Sequence, residues 1–464
     1  MKSSNREKLR LLPAVERVLL RPDVVPLCAQ YGRAAVTDWI REVLRRMRHS
    51  HADDLPDDAD AMEEKAVLDL LQVASSAASD SLREVINATG IVIHTNLGRS
   101  PLAQRAIEAL TKVAACTNLE VDLVSGQRGR RGASVEQLCR AVTGAEAALI
   151  VNNCAAATLL TLQTLAAGRR VVISRGQLIE IGGSFRLPDV FRQAGVELHE
   201  VGTTNRTRLS DYAEAIGPET AALLRVHPSN FRISGYCESV AIADLVELGK
   251  EHQIPVIDDV GSGCLYDLTR YGLADEPIVG ESLRAGADLV LFSGDKLLGG
   301  PQCGIILGRA DIVAKLRANP LARALRVDKL TLAALEATLQ IHRAERAFDE
   351  IPVLRQLALA DSEIRTRAEW LVEKLRQKSP RPDRYSVQAV ASAAGGGSLP
   401  GTTLSSWAIA IWSESPDHVA RQLRLGSPAV FSRVQEGCTL IDFRTVRPAD
   451  EDKLLRRILE CSIE

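Results

Sequence analysis

The chain has 464 residues, 46% hydrophobic and 25% charged, with 57 Lys plus Arg against 59 Asp plus Glu and a formal charge of −2. That balance excludes a strongly basic, histone-like binder, though not a local basic patch, and the length permits a large apolar core without disulfides or structural metal. Nine cysteines with no C-x-x-C pair, no 18-residue apolar run and an N-terminus without an apolar signal core predict a cytoplasmic protein with reduced thiols and no membrane span.

In chain order, residues 1–48 read as helical and basic, with eleven Lys or Arg against five acids. Apolar periodicity predicts helices over Leu11–Leu20 and Val36–Met47, separated by Pro22 and Pro26. The acidic run HADDLPDDADAMEE (51–64) reads as a solvated linker or helix start, and a third helix is expected over Glu64–Ala77. From Leu82 short β-like runs alternate with helices: INATGIVIHT, a helix near Gln104–Ala115, AALIVN, AAATLLTLQTLA, RRVVIS, GVELHEV, AALLRV, IPVIDD, DLVLFSG and GIILG. Most of these runs are β-branched and apolar on both faces, the mark of a mostly parallel sheet covered by helices. A helical pattern over Thr331–Phe348 leads into a C-terminal third, where GGGSLPG (395–401) precedes SWAIAIW, AVFSR and TLIDF. The expected organisation is a helical basic domain over 1–64, a linker helix over 65–85, an α/β catalytic core over 86–330 and a small α+β domain over 331–464.

Chemistry concentrates in DLVLFSGDKLLGGPQCGIIL (288–307). Lys296 follows a strand end and is hemmed in by small residues, as a Schiff-base lysine must be if its amine is to reach an aldehyde. A loop lysine or a phosphate-gripping lysine is the alternative, although no Walker spacing precedes it. Ser293 is placed to donate to a phosphate. In ALIVNNCAAATLL, residues Asn153, Cys154 and Ala155 open a helix whose free N–H groups suit a phosphate dianion, or form an ordinary strand–helix joint. IPVIDDVGSG puts Asp258 and Asp259 at a strand end, where a carboxylate can keep a pyridine nitrogen protonated or a pair can bind Mg²⁺. RVHPSNF puts Asn230 within reach of a ring hydroxyl. Asn, then Asp 29 residues on, then Lys 37 further on, is the order found in fold-type I pyridoxal phosphate enzymes. Arg99 follows an Asn-Leu-Gly turn. Arg323 and Arg326 are expected three apart on one helix face, where guanidinium forks match phosphate oxygens if they are not simply solvated. Arg128, Arg130 and Arg131 form another basic loop, which faces either an acidic partner or the active site. His94 and His227 read as packing groups or supports rather than general bases, and no His/Cys/Asp set has metal-ligand spacing.

Longer runs make the reading specific. INATGIVIHTNLGRS (86–100), GAEAALIVNNCAAATLL (144–160), SRGQLIEIGGSFRLPDVFRQAGVELHEVGTTNRT (174–207), VHPSNFRISGY (226–236), DDVGSGCLYDLTRYGL (258–273), SGDKLLGGPQCGIILG (293–308) and LARALRVDKLTLAALEATL (321–339) resemble bacterial selenocysteine synthases, the L-seryl-tRNA(Sec) selenium transferases. The resemblance covers nearly the whole chain. It is thinner in the C-terminal domain, mainly at GGGSLP, and Cys264 stands where serine is common. It implies an aspartate-aminotransferase-like fold with pyridoxal 5'-phosphate on Lys296. Asp259, rather than Asp258, then faces the pyridine nitrogen. Asn230 would face the ring hydroxyl, and Ser293, Asn153, Cys154 and Ala155 would hold the phosphate. It further implies that Arg99, Arg323 and Arg326 hold selenophosphate, and that Asp295 positions the donor or assists proton transfer unless it merely caps a turn. The implied activity is conversion of seryl-tRNA(Sec) to selenocysteinyl-tRNA(Sec) through an aminoacrylyl intermediate, with residues 1–64 binding tRNA and ten subunits forming a ring of dimers. The rivals are a related pyridoxal phosphate lyase acting on a small amino acid or amino sugar acid, and a tRNA-binding protein without activity. The basic N-terminal region argues against the first. The complete Lys296, Asp259 and Asn230 set argues against the second.

Overall fold

A computed structural model describes residues 8–51, 54–78, 82–182, 185–273 and 276–461. The chain divides into two units, Met1–Glu84 and Val85–Glu464.

In the first unit, helix Arg33–His49 buries Val36, Ile40, Val43, Leu44 and Met47, the i, i+4, i+7 stripe expected from the sequence. That stripe shares a core with Met62, Val67 and Leu70 of helix Ala59–Ala78. This second helix begins five residues before the expected start, inside the acidic run. The Asp58 carboxylate accepts the Ala61 N–H at 2.8 Å, and acids in a first turn complement the helix dipole. The acidic run also answers the basic one. Lys8 meets Asp57 at 2.7 Å, Arg17 pairs with Glu63, and Arg21 lies 3.8 Å from Glu63. Counted over residues 1–64, eleven basic residues face twelve acids. The positive character is therefore local, carried in large part by Arg41, Arg45, Arg46 and Arg48 on helix Arg33–His49.

In the second unit, β1 (Ile91–Ile93) precedes seven strands that form one sheet: β2 (Ala147–Val151), β3 (Arg170–Ser174), β4 (Glu197–Val201), β5 (Thr220–Val226), β6 (Val256–Gly261), β7 (Leu289–Ser293) and β8 (Gly304–Gly308). Their spatial order is β2-β8-β7-β6-β5-β3-β4, and β8 alone runs antiparallel to its neighbours. Alternate residues feed two cores, one containing Val172, Leu223, Val290 and Ile305, the other Ile173, Leu224, Leu291 and Ile306. This is the aspartate-aminotransferase-like α/β fold expected above. The parallel register sets Val226 beside Asp259 and Asp259 beside Leu291, so β5, β6 and β7 end at one edge. Ligands of open α/β sheets bind at that carboxyl edge.

A second sheet is built from β9 (Tyr385–Gly395), β10 (Thr403–Trp412), β11 (Arg433–Gln435) and β12 (Cys438–Asp442), in the order β11-β12-β10-β9-β1. Its edge strand β1 comes from before the large sheet and pairs with the end of β9, Ile91 beside Ala393 and Ile93 beside Gly395. That pairing brings the loop after β1 and the glycine-rich loop after β9 together. Among the described residues no helix is long and apolar enough to cross a membrane, and no His/Cys/Asp/Glu group is arranged to hold a metal ion.

Candidate active site

Lys296 lies at the carboxyl edge, in the turn between β7 and β8, and is buried. The turn is fixed by backbone hydrogen bonds from Gly294 N–H to Cys303 O, Gly300 N–H to Gly294 O and Leu297 N–H to Ser262 O, each 2.8–2.9 Å. The Ser100 hydroxyl adds a 2.5 Å bond to the Lys296 carbonyl. Against the amine lies Gly397, at φ +89°, where a Cβ would come within 2.8 Å of Nζ. A side chain here would push the flexible end of Lys296 aside, and the left-handed backbone favours glycine. The GGGSLP segment thus forms a wall of the lysine chamber.

Neighbouring residues Asp258 and Asp259 point to opposite faces of β6. Asp258 is fully buried and forms a bidentate pair with Arg225 on the adjacent strand, both bonds 2.8 Å. Asp259 faces helix Cys154–Ala166, accepting from Thr158 Oγ1 at 3.2 Å and from Cys154 Sγ at 3.5 Å. Burial pushes its carboxyl up to about 6, against the pull of Lys296 and Thr158. The same burial, reinforced by Asp259, holds the Cys154 thiol well above its ordinary value and keeps it protonated, while Lys296 and Ser293 pull the other way. Asn153 caps this helix through a 2.8 Å bond to Ala156 N–H. The N–H groups of Cys154 and Ala155 in the first turn have no helical acceptor. Close approach of β8 to this turn requires glycine at 304, where a Cβ would fall 2.1 Å from the Asn153 carbonyl.

Asp295 pairs with Arg99 at 2.8 Å. Arg99 is held at φ +64° in the tight loop after β1, with its N–H on the His94 carbonyl. A non-glycine residue in that region is strained and persists where the surroundings enforce it. Several buried polar atoms around the lysine chamber have no partner among the described residues: Asp295 Oδ1, Ser398 Oγ and His227 Nε2. Each such atom costs about 1–3 kcal/mol, so the chamber is shaped for a polar ligand. A cavity of about 560 Å³ lined by Gln177, Arg225, His227, Phe231, Glu276 and Leu399 adjoins the glycine-rich segment that packs on Lys296, although Lys296 is not itself part of its lining.

Other expected site residues are placed differently. Asn230 is exposed, and its amide donates to the Glu180 carbonyl at 2.7 Å, whereas Ser229 is buried and lies beside Gly261. Arg323 lies in helix Pro320–Ala324, but Arg326 is beyond its end, which corrects the expectation of a shared helix face. The physical reason is a competing partner: Asn152 N–H donates to the Leu325 carbonyl, and Arg326 pairs with Val151 in extended conformation. Both arginines line a cavity of about 370 Å³ with Glu120, Arg128, Arg130, Arg131 and Arg317, a set that includes neither Asp295 nor Lys296. The 128–131 loop is tied down there. Arg128 meets Glu120 at 3.0 Å, Arg130 pairs with Glu136, and Arg131 donates to the Val327 carbonyl at 2.7 Å. Sequence reasoning missed Thr158, Ser262, Glu276 and Gly397. Thr158 carried a local signal, standing four residues after Cys154 on one helix face, and Gly397 lay in the GGGSLP run.

Comparison with known proteins accounts for nearly the whole chain. The family model for L-seryl-tRNA selenium transferase matches residues 85–447, and that for the selenocysteine synthase N-terminal region matches residues 9–48. The L-seryl-tRNA(Sec) selenium transferase of Moorella thermoacetica is 48% identical over 98% of this chain and 97% of its own length. Those of Carboxydothermus hydrogenoformans and Hyphomonas neptunium are each 47% identical, covering 97% and 95% of this chain and 97% and 96% of their own. A solved structure of D-glucosaminate-6-phosphate ammonia-lyase superposes with a TM-score of 0.56 at 21% identity, over 82% of this chain and 95% of its own, and so shares the fold. By family match and by relatedness along its full length, the chain belongs to the L-seryl-tRNA selenium transferase family.

Proposed function

We propose that the protein converts L-seryl-tRNA(Sec) to L-selenocysteinyl-tRNA(Sec), with pyridoxal 5'-phosphate on Lys296 and selenophosphate as the selenium donor. The observation that carries this reading is the enclosed Lys296 amine at the strand edge, with the buried Asp259 carboxyl behind it, in a chain of this family. The chamber fits the cofactor: unpartnered polar atoms surround the lysine and a capped helix N-terminus lies beside it. When bound, pyridoxal phosphate supplies an electron sink for the pair left on the seryl α-carbon.

Lys296 Nζ anchors the cofactor, then takes the α-proton and returns it. Asp259 would hold a proton at the pyridine nitrogen as a carboxylate, the buried cation there offsetting the desolvation that raises its carboxyl in the cofactor-free protein. The Cys154 and Ala155 N–H groups, with Asn153 as cap and Ser293 beside Cys154, hold the phosphate. Asn230, with one amide N–H on the Glu180 carbonyl, keeps its second N–H and its carbonyl for a ring hydroxyl. Arg99, fixed on Asp295, and the Arg323–Arg326 cavity offer guanidinium forks for the phosphate of the donor. The reading extends to a cytoplasmic homo-oligomer, expected from the family resemblance as a decamer built from dimers. Five buried free thiols, Cys139, Cys264, Cys303, Cys438 and Cys461, suit a reducing compartment. The test is to incubate the cofactor-loaded protein with seryl-tRNA(Sec) and selenophosphate and identify the esterified amino acid by mass spectrometry. Selenocysteine is expected, and unchanged serine would refute the proposal.

A further inference from the structure

Glu276 has no part in the chemistry above, yet it is buried against it. Its side chain is 2% exposed, Oε2 accepts the Leu399 N–H at 2.7 Å, and Oε1 has no partner. His227 Nε2, also unpartnered, lies 3.9 Å from Oε2. Leu399 is two residues beyond Gly397, the glycine packed on Lys296 Nζ, so the carboxyl and the amine share one wall. Burial pushes the Glu276 carboxyl above the ordinary range, against the opposing pull of Ser262, the Leu399 N–H and Lys296. The other groups facing it do not offset this. Arg225 across the cavity is committed to Asp258, and burial pushes His227 down to about 4, so its ring is neutral near pH 7.

A β-hydroxyl leaves readily only as water, so its departure needs a proton donor. The residues assigned above do not provide one. Lys296 receives the α-proton, Asp295 is paired with Arg99, Asp258 is paired with Arg225, and Asp259 lies behind the chamber on Thr158 and Cys154. We propose that Glu276 is the acid that protonates the departing seryl hydroxyl, on the wall shared with Lys296 and beside His227. The inference rests on the function proposed above. In the step, the α C–H bond breaks and its proton passes to Lys296 Nζ. The freed pair forms the Cα=Cβ bond as the Cβ–O bond breaks. The oxygen takes the Glu276 proton and leaves as water through the cavity, and the resulting carboxylate is reprotonated from solvent by the same route. No oxidant or reductant is needed.

The test is Glu276→Gln in the cofactor-loaded full chain. Gln keeps the size and the acceptor for Leu399 N–H but carries no transferable proton. With seryl-tRNA(Sec) in deuterated water, the variant should still exchange the α-proton, while loss of water falls about a hundredfold or more. With β-chloroalanyl-tRNA(Sec), whose chloride departs without a proton, the variant should eliminate at the wild-type rate. Independently of turnover, the infrared difference between wild type and variant, without substrate and near neutral pH, should show one protonated carboxyl. Glu276→Asp, which retains an acid, should recover part of the water loss. Water loss at the wild-type rate in Glu276→Gln would overturn the proposal. So would slowing of the chloro substrate to the same degree, loss of exchange, or an ionised carboxyl in the infrared spectrum. A wild-type protein that neither exchanges nor eliminates would instead refute the function itself, and this inference with it.

Discussion

Asp259→Asn should stabilise the protein freed of cofactor while disabling the loaded one. Asp259 is buried on Thr158 and Cys154, and burial raises its carboxyl from 3.8 to about 6 despite the nearby Lys296 amine. A carboxyl that binds its proton more tightly when folded adds stability at low pH. That contribution is fully present below the unfolded pKa of about 3.9 and is lost as pH rises through the folded value. Over that interval, at about 1.4 kcal/mol per pH unit, the loss amounts to at most about 3 kcal/mol above pH ~6. Asn is neutral in both states and keeps an oxygen for Thr158, so it escapes the loss. Guanidinium denaturation of the cofactor-free proteins at equal concentration is the assay. The variant's midpoint should exceed wild type at about pH 8, and the gap should close near pH ~4. The loaded variant should bind seryl-tRNA but fail to turn it over, because an amide cannot keep the pyridine nitrogen protonated. A variant less stable than wild type at the higher pH, or a gap independent of pH, would refute the argument from burial.

Lys296→Ala should abolish the borohydride-reducible link between cofactor and protein, and mass spectrometry finding the link on another lysine would move the site. Removing residues 1–84 should weaken tRNA binding and flatten its salt dependence while leaving the link at Lys296. The basis is the arginine-rich helix Arg33–His49, and equal affinity with an equal salt slope in both proteins would exclude that helix from tRNA contact. Arg323→Ala and Arg326→Ala should leave dehydration of the seryl group intact but slow selenium transfer by roughly ten- to a hundredfold, through loss of charge-assisted bonds to the donor. Lys should recover part of this. Single-turnover assays resolving the two halves decide the matter, since parallel loss of both would assign these arginines to tRNA or subunit contacts.

Signals that repeat along the chain were legible without coordinates. The doubly apolar runs became β2–β8, and the 36–47 stripe became the buried face of helix Arg33–His49. The Asn153 cap was readable as a polar-to-small turn before a helix. What escaped depends on partners distant in sequence. Alternation along β6 shows that Asp258 and Asp259 face apart, but not which faces Arg225, because that follows from the register of β5 on β6. Arg326 left the helix because Leu325 found Asn152, and Asn230 turned outward to Glu180, contacts spanning 173 and 50 residues. Glu276 meets Leu399, and Gly397 meets Lys296, across 123 and 101 residues of chain.

The most direct test of the account follows the fate of the seryl group at Lys296. Cofactor-loaded wild type and Lys296→Ala should be incubated with selenophosphate and either seryl-tRNA(Sec) or seryl-tRNA(Ser), and the amino acid released from the tRNA identified. The account predicts selenocysteine only from wild type with seryl-tRNA(Sec), and serine recovered unchanged from the variant although it still binds that tRNA. Selenocysteine formed by Lys296→Ala, or serine alone recovered from wild type, would contradict it.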